Sequence, residues 1–231
     1  LKRDELPHIV RPAIMMAFFF GMIGLGASFV HLGNPFNAFY TVSHFSSSWM
    51  SREIVFTALF MALLLLSIIT ILVRGYVSFG LVAMTAIVGL IDLYVMAAIY
   101  DNSIYILWQG WQTYTAFYGS SLLMGSVLSA LFMLPKLNEY GTGIESLAHT
   151  LFNMVLIGLS LVTISTMAMF YIASPDFALS DTLNARTLPD GLLTLTIIRY
   201  SLVLIGMFVI GKVLAKPQSK AISFNLFVAL I

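Results

Sequence analysis

Residues 54–73 read IVFTALFMALLLLSIITILV and contain no charged side chain. A transmembrane helix needs about 20 mainly apolar residues, so this stretch is long enough to cross a bilayer. Residues 12–30, on its N-terminal side, also contain no charge, and residues 77–99, on its C-terminal side, contain only Asp92. These stretches predict three consecutive membrane-spanning helices.

The second half of the sequence continues the same pattern. Its first uncharged stretch is longer than one span, so we place a helix at 113–134 and leave residues 102–112 as an aromatic surface segment. Further spans are predicted at 147–172 and 192–212, whereas the apolar tail 221–231 is too short to cross. The sequence therefore predicts six full spans.

The fold class that follows is an all-α, polytopic membrane helical bundle that forms a single integral membrane domain over residues 1–231. Ser51 is predicted to cap the second helix, and Pro135 to mark the end of another. The chain begins with Leu1 and is apolar to its last residue. We therefore expect a fragment that lacks an N-terminal helix and the C-terminal end, with a truncated seventh span and eight spans in the native protein.

The composition excludes several classes of protein. Charged residues make up 9% of the sequence, far below the roughly 25% of a soluble domain, so a soluble enzyme is excluded. The protein contains no cysteine, so it can form no disulfide, thiolate zinc site or iron–sulfur cluster of its own. Any redox centre of these cysteine-bound kinds must therefore lie in a partner. A net charge of +1 gives no basic face for binding nucleic acid.

The loop charges predict the orientation of the helices. Lys and Arg accumulate on the cytoplasmic side of a membrane, and one set of loops carries eight of them against two, Arg52 and Arg186, on the other. Residues 32–52, 100–112 and 173–191 are therefore expected to face outward. A bacterial inner membrane fits this distribution best.

The four histidines fall near the ends of the spans. His8 and His149 are predicted at the cytoplasmic face, and His31 and His44 at the outer face. A haem held between helices needs two facing imidazoles at matched depth. No two spans each contain an interior histidine, so no haem or other metal site is expected.

His31 ends the first span and Glu53 begins the second, so both are predicted at the outer boundary of the bilayer. Oxidation of a quinol releases two protons with two electrons, and a neutral imidazole and a carboxylate are suitable bases. A structural alternative is open, because a histidine at a helix end can contact interfacial water. A glutamate in the first turn also interacts favourably with the helix dipole beside a Ser51 cap.

Two ionisable residues fall inside spans, where they are costly and usually paired or functional. Asp92 precedes Tyr100, at the outer end of its helix, by eight residues, and Arg199 follows Leu192, at the outer end of another, by seven. At about 1.5 Å per residue both lie roughly 10 to 12 Å below the outer surface. We expect an Asp92–Arg199 ion pair or a shared water-lined pocket, with a role in locking two helices or in moving protons.

Two sequence blocks carry a resemblance to a known family. Residues 31–39 read HLGNPFNAF and residues 46–54 read SSSWMSREI. They resemble the membrane anchor subunit of the anaerobic dimethyl sulfoxide reductases, the DmsC family. Weaker similarity continues through three short segments, at residues 100–104, 188–190 and 198–200.

The resemblance implies a haemless integral membrane subunit that oxidises menaquinol. Such a subunit passes electrons to an iron–sulfur subunit on the outer, periplasmic face, which relays them to a molybdopterin catalytic subunit. The quinol-site histidine of the family falls on His31 and its glutamate on Glu53, and we add Arg199 and Tyr100 as candidate quinol-binding residues. Asp92 has no counterpart that we identify in the family.

The outer segments that contain aromatic residues are the candidate docking surface for the iron–sulfur subunit. The candidate residues are Phe36, Phe39, Trp49, Trp108 and Trp111. An interfacial aromatic belt is the alternative explanation, since Trp and Tyr are enriched at membrane surfaces.

Three other functions are left open by the sequence. The first is an anchor of the polysulfide or nitrite reductase type, which differs in its terminal acceptor. The second is a small-solute transporter with Asp92 and Arg199 as ligands inside the membrane, although neither inverted repeats nor paired helix interruptions are found. The third is a purely structural anchor.

Overall fold

The computed structural model describes residues 5–31, 42–140, 144–172, 194–198, 200–202 and 204–205. Five long helices account for most of them: α1 (Leu6–His31), α2 (Trp49–Arg74), α3 (Phe79–Asp101), α4 (Trp111–Tyr140) and α5 (Ile144–Ile172). Each contains a segment long and apolar enough to cross a membrane. The described residues include no strand, so the all-α prediction is confirmed, and a long apolar helix lies at each of the first five predicted spans.

The sixth predicted span, 192–212, is described only in part. The residues described between 194 and 205 are helical. The rest of that span and the tail 221–231 lie outside the described residues, so the total number of spans stays a prediction.

Two predicted helix boundaries are wrong. Ser48, not Ser51, caps α2: its backbone is extended, and its hydroxyl accepts the Ser51 N–H at 3.4 Å. A cap must precede the first helical turn, and Ser51 already lies within that turn. Helix α4 continues past Pro135 to Tyr140, because a proline removes a single backbone hydrogen bond and such a loss is tolerated in membrane helices.

One compact unit comprises Leu1–Asn102. Within it, α2 packs against both α1 and α3, and among the described residues it contributes four of the eight buried apolar side chains of this unit. Those on α2 are Met61, Leu64, Ile68 and Ile71, and those on α3 are Val95, Ala97 and Ala98. Helix α2 ends at Arg74 and is capped by Gly75, whose φ of 68° is left-handed and whose N–H donates to the Ile71 carbonyl.

The second compact unit comprises Ser103–Ile231. Its main contact is between α4 and α5, where Gly119 and Gly158 let the two backbones approach closely. Ser165 on α5 is buried and donates to the Gln112 carbonyl on α4 at 2.7 Å. The first turn of α4 is thereby tied to the last third of α5.

Candidate functional site

Arg52 shapes the segment that leads into α2. Its Nε donates to the Phe45 carbonyl at 3.0 Å, and one of its terminal nitrogens donates to the Ser46 carbonyl at 2.6 Å. The guanidinium also lies 4.2 Å from the centre of the Trp49 ring, within the range of a cation–π contact. The planar fork of an arginine suits this double contact, so Arg52 holds residues 45–46 against the start of α2.

Glu53 lies on the side of α2 that faces α3. Trp49, Glu53 and Thr57 recur at intervals of four residues and therefore share one helix face. The Trp49 ring contacts the Tyr94 ring of α3, with centroids 6.1 Å apart, and the Thr57 hydroxyl contacts Asp92 of α3. Because both flanking residues meet α3, the intervening Glu53 is directed toward the same interface, half-buried.

Asp92 is the buried acid of this interface, with 7% of its surface exposed. The Thr57 Oγ1 lies 3.1 Å from each of its two carboxylate oxygens. Glu53 is close enough to Asp92 for a Coulombic interaction. The α2–α3 interface therefore brings two carboxylates and one hydroxyl together.

The packing of α1 against α2 sets the position of His31 along the helix axes relative to Glu53. Gly21 of α1 lies against Met61 of α2, because a Cβ added to Gly21 would lie 2.6 Å from the Met61 sulfur. Consecutive spans cross a membrane in opposite directions. The backbones of His31 and Glu53 therefore lie toward the same end of the two helices, because His31 comes ten residues after Gly21 and Glu53 comes eight residues before Met61. At about 1.5 Å per residue these separations are roughly 15 and 12 Å. The two backbone levels thus differ by about 3 Å.

Tyr100 belongs to the same end of the unit. Measured from the Thr57–Asp92 contact, Tyr100 is eight residues farther along α3, and Glu53 is four residues back along α2. These intervals correspond to about 12 and 6 Å. Tyr100 therefore lies about one helical turn nearer the ends of the helices than Glu53.

Several predicted site residues fall where the structure is not described. His31 is the last residue of α1, but its side chain lies outside the described residues, as do Phe36, Phe39 and Arg199. The Asp92–Arg199 ion pair therefore stays a prediction. Trp49, predicted within a docking loop, is the first residue of α2 and is half-buried.

In the second unit, an exposed aromatic segment leads into α4 and includes the first residue of that helix, Trp111. It contains the short 3₁₀ helix Ile106–Trp108, and 40% of Trp108 and 57% of Trp111 are exposed. The Gln112 side chain, 1% exposed, donates to the Gln109 carbonyl and, at 3.5 Å, to the Leu107 carbonyl. Gln112 therefore holds the segment that carries the two tryptophans.

Thr57 and Gln112 are the functional candidates that sequence reasoning missed. Both are neutral, so neither interrupts an apolar stretch as a charge does. The position of Thr57, four residues after Glu53, is a signal that could have placed both on one helix face. Gln112 offers no such signal, because its partners are backbone carbonyls of the preceding segment.

The five apolar helices and the polar residues at one end of the first unit define the class: a multi-pass membrane protein. The family model for the DMSO reductase anchor subunit (DmsC) matches residues 2–231. The protein therefore belongs to the DMSO reductase anchor subunit family, which confirms the resemblance seen in its sequence.

A curated relative agrees with this assignment. Over 156 residues the sequence is 35% identical to the C subunit of the anaerobic dimethyl sulfoxide reductase of Haemophilus influenzae. The match covers 65% of the present sequence and 54% of the relative, which means that it spans about half the length of that protein. No solved structure matches the sequence.

Proposed function

We propose that this protein is the haemless membrane anchor of a molybdopterin oxidoreductase complex and oxidises menaquinol at the outer face of a bacterial inner membrane. The electrons pass to an iron–sulfur subunit and then to a molybdopterin catalytic subunit, which serves anaerobic respiration with dimethyl sulfoxide or a similar acceptor. The observation that carries the proposal is that the backbones of His31 and Glu53 lie at a similar depth on neighbouring helices, in a protein that belongs to an anchor family.

The reaction converts a quinol into a quinone, two protons and two electrons. In the proposed mechanism the quinol enters from the lipid between helices, His31 accepts one proton, and Glu53 accepts the other. A neutral imidazole and a carboxylate both have the proton-accepting atoms that this step needs. Since the protein has no cysteine, the electrons leave to an iron–sulfur cluster of the partner.

The surroundings of Glu53 support this role. Its helix face also carries Trp49, whose ring packs on Tyr94, so aromatic surface adjoins the carboxyl. Arg52 fixes the preceding segment through two carbonyl contacts. A base held on a rigid helix beside apolar rings suits a ligand with an aromatic headgroup and an apolar tail.

The distribution of Lys and Arg supports an outer site, because the end that carries His31 and Glu53 is the poorer in these residues. Protons released there leave on the same side as the electrons. The proposed half-reaction therefore moves no net charge across the membrane.

Substitutions of the two bases test the proposal in the assembled complex. His31→Ala and Glu53→Gln are expected to abolish reduction driven by a menaquinol analogue and to leave reduction driven by a reduced viologen intact. Asp101→Asn, which removes an acid at the same end of the unit, is the matched control and is expected to keep both activities.

The two electron donors distinguish the outcomes. Wild-type quinol oxidation in both base variants would show that the protein is a structural anchor only. Loss of viologen-driven activity as well would show that His31 and Glu53 are needed for assembly rather than for quinol chemistry.

A further inference from the structure

We propose that Asp92 is a second proton-holding carboxylate of the quinol site and that it acts through Glu53 without contacting the quinol. The inference rests on the proposed function. It adds one step, in which the proton that Glu53 takes from the quinol passes to Asp92. Glu53 returns to its carboxylate form and Asp92 becomes a carboxylic acid, so the step moves one proton and no electrons. After the quinone has left, the proton returns through Glu53 to the outer water.

The geometry of the α2–α3 interface is the first argument. Glu53 lies one turn from Thr57 on the same face of α2, a rise of about 6 Å. The Thr57 hydroxyl in turn lies 3.1 Å from both carboxylate oxygens of Asp92. Thr57 therefore links Asp92 to the face of α2 that carries Glu53, and Glu53 itself is close enough to Asp92 for a Coulombic interaction.

The unused hydrogen-bonding capacity of Asp92 is the second argument. A hydroxyl has one hydrogen, so Thr57 can donate to only one of the two oxygens at a time, although an ionised carboxylate has about four acceptor sites. Among the described residues Thr57 is the only hydrogen-bond donor to Asp92, and the acid is almost fully buried. A buried carboxylate with a single neutral donor has acceptor positions left for a proton.

A purely structural role explains this arrangement less well. A helix–helix hydrogen bond inside a membrane needs only neutral groups such as Thr and Asn. An ionisable acid is costly there, and the Coulombic interaction with Glu53 adds repulsion whenever both groups are charged. Two interacting carboxylates are an arrangement in which one proton is readily shared.

The test uses the assembled complex in membranes, with a menaquinol analogue and a reduced viologen as alternative donors. Asp92→Asn keeps the size and the bond from Thr57 but cannot hold the proton. It is expected to lower kcat for quinol oxidation about tenfold or more, less than the loss of a direct base. KM for the quinol is expected to stay within about twofold, because uniform binding is unchanged. Viologen-driven activity is expected to stay at the wild-type level.

Two further variants exclude a structural explanation. Asp92→Glu restores a carboxyl and is expected to recover part of the lost kcat. The double variant Glu53→Gln with Asp92→Asn is expected to keep viologen-driven activity at the wild-type level, which a role of the two acids in folding or assembly would not allow.

Each outcome decides the proposal. Wild-type kcat in Asp92→Asn overturns it, as does an equal loss in Asp92→Glu. If Asp92→Asn fails to assemble, the variant Thr57→Val tests the proposal, with Thr57→Ser as its control. A kcat that is severalfold lower in Thr57→Val but not in Thr57→Ser supports the proposal. An unchanged kcat in Thr57→Val overturns it. Wild-type activity in Glu53→Gln overturns the proposed function itself, whereas wild-type activity in Asp92→Asn alone overturns only this inference.

Discussion

Gly119 of α4 and Gly158 of α5 meet backbone to backbone: a Cβ on Gly119 would lie 2.9 Å from the Gly158 carbonyl oxygen, and one on Gly158 would lie 2.8 Å from the Gly119 oxygen. Five of the six neighbouring atoms are backbone or Cβ atoms, which cannot rotate away, and the sixth is Cγ2 of Val162. Helix association in lipid depends on this kind of close packing. The crossing is therefore a point where even one methyl group cannot be accommodated without moving a helix.

Gly119→Ala and Gly158→Ala are each expected to lower the free energy of unfolding by about 1 to 3 kcal/mol, the usual cost of overpacking. Gly125→Ala is the matched control, because Gly125 lies on the same helix α4 with no atom within 4 Å of its added Cβ. The control is expected to be neutral or stabilising by up to about 1 kcal/mol through helix propensity. Unfolding of the purified protein by SDS titration, followed by circular dichroism, measures all three. Equal stability of Gly119→Ala and Gly125→Ala would contradict the prediction.

Arg52→Lys is expected to loosen the segment before α2 while leaving the helix intact. Lysine keeps the charge but cannot reach the Phe45 and Ser46 carbonyls with a planar fork. Hydrogen exchange of the backbone amides over residues 43–48 is expected to rise about tenfold, which corresponds to a loss of roughly 1.4 kcal/mol.

Arg74→Lys serves as the control for Arg52→Lys. Arg74 ends the same helix, and its contact with the Tyr76 hydroxyl is exposed, so a change there is expected to leave residues 43–48 unaffected. Unchanged exchange in Arg52→Lys would show that the two carbonyl contacts contribute nothing to the order of this segment.

The spans could be predicted from the sequence because the length of an apolar stretch alone decides whether a helix can cross a bilayer. The cap of α2 could not be predicted as readily, since Ser48 and Ser51 both suit a cap and only the start of the helix distinguishes them. Pro135 shows the opposite error, in which a residue that usually ends a helix is tolerated inside one.

The candidate site was predictable only where charge or family pattern marked it. Asp92 stands out as an acid inside an apolar stretch, and Glu53 was marked by the family pattern at the start of another. The contact of Thr57 with Asp92 depends on the rotation and register of α2 against α3, which the packing of many apolar side chains decides together. No single residue in the sequence encodes that register, so the sequence did not indicate Thr57 as a partner of Asp92; the expected pairing with Arg199, which lies outside the described residues, stays a prediction.

Gly110→Ala is expected to cost more stability than Gly75→Ala. Both glycines have positive φ, 113° and 68°, which an alanine adopts only with strain. A Cβ on Gly110 would in addition lie 2.7 Å from the Gln112 side-chain oxygen, whereas one on Gly75 would meet no atom within 4 Å. We expect a loss of about 1 to 2 kcal/mol for Gly75→Ala and a larger one for Gly110→Ala. The same SDS titration measures both, and equal losses would show that the Gln112 contact is unimportant.

Trp108 and Trp111 are expected to contribute to binding of the proposed iron–sulfur partner. Both are exposed on a segment that Gln112 holds in place, and rigid aromatic side chains are the commonest anchors of protein interfaces. Substituting both with alanine is expected to weaken retention of that subunit on the membrane by about tenfold or more, since each such anchor contributes upwards of 1 kcal/mol. Phe79→Ala is the control, because Phe79 is an aromatic residue at a helix end that is 85% exposed. If the tryptophans belong only to an interfacial belt, both variants retain the partner equally.

Gln112→Leu separates the two explanations further, because it frees the segment without removing an aromatic ring. It is expected to weaken retention of the partner if the rings dock as a fixed surface, and to leave retention unchanged if the rings only contact lipid.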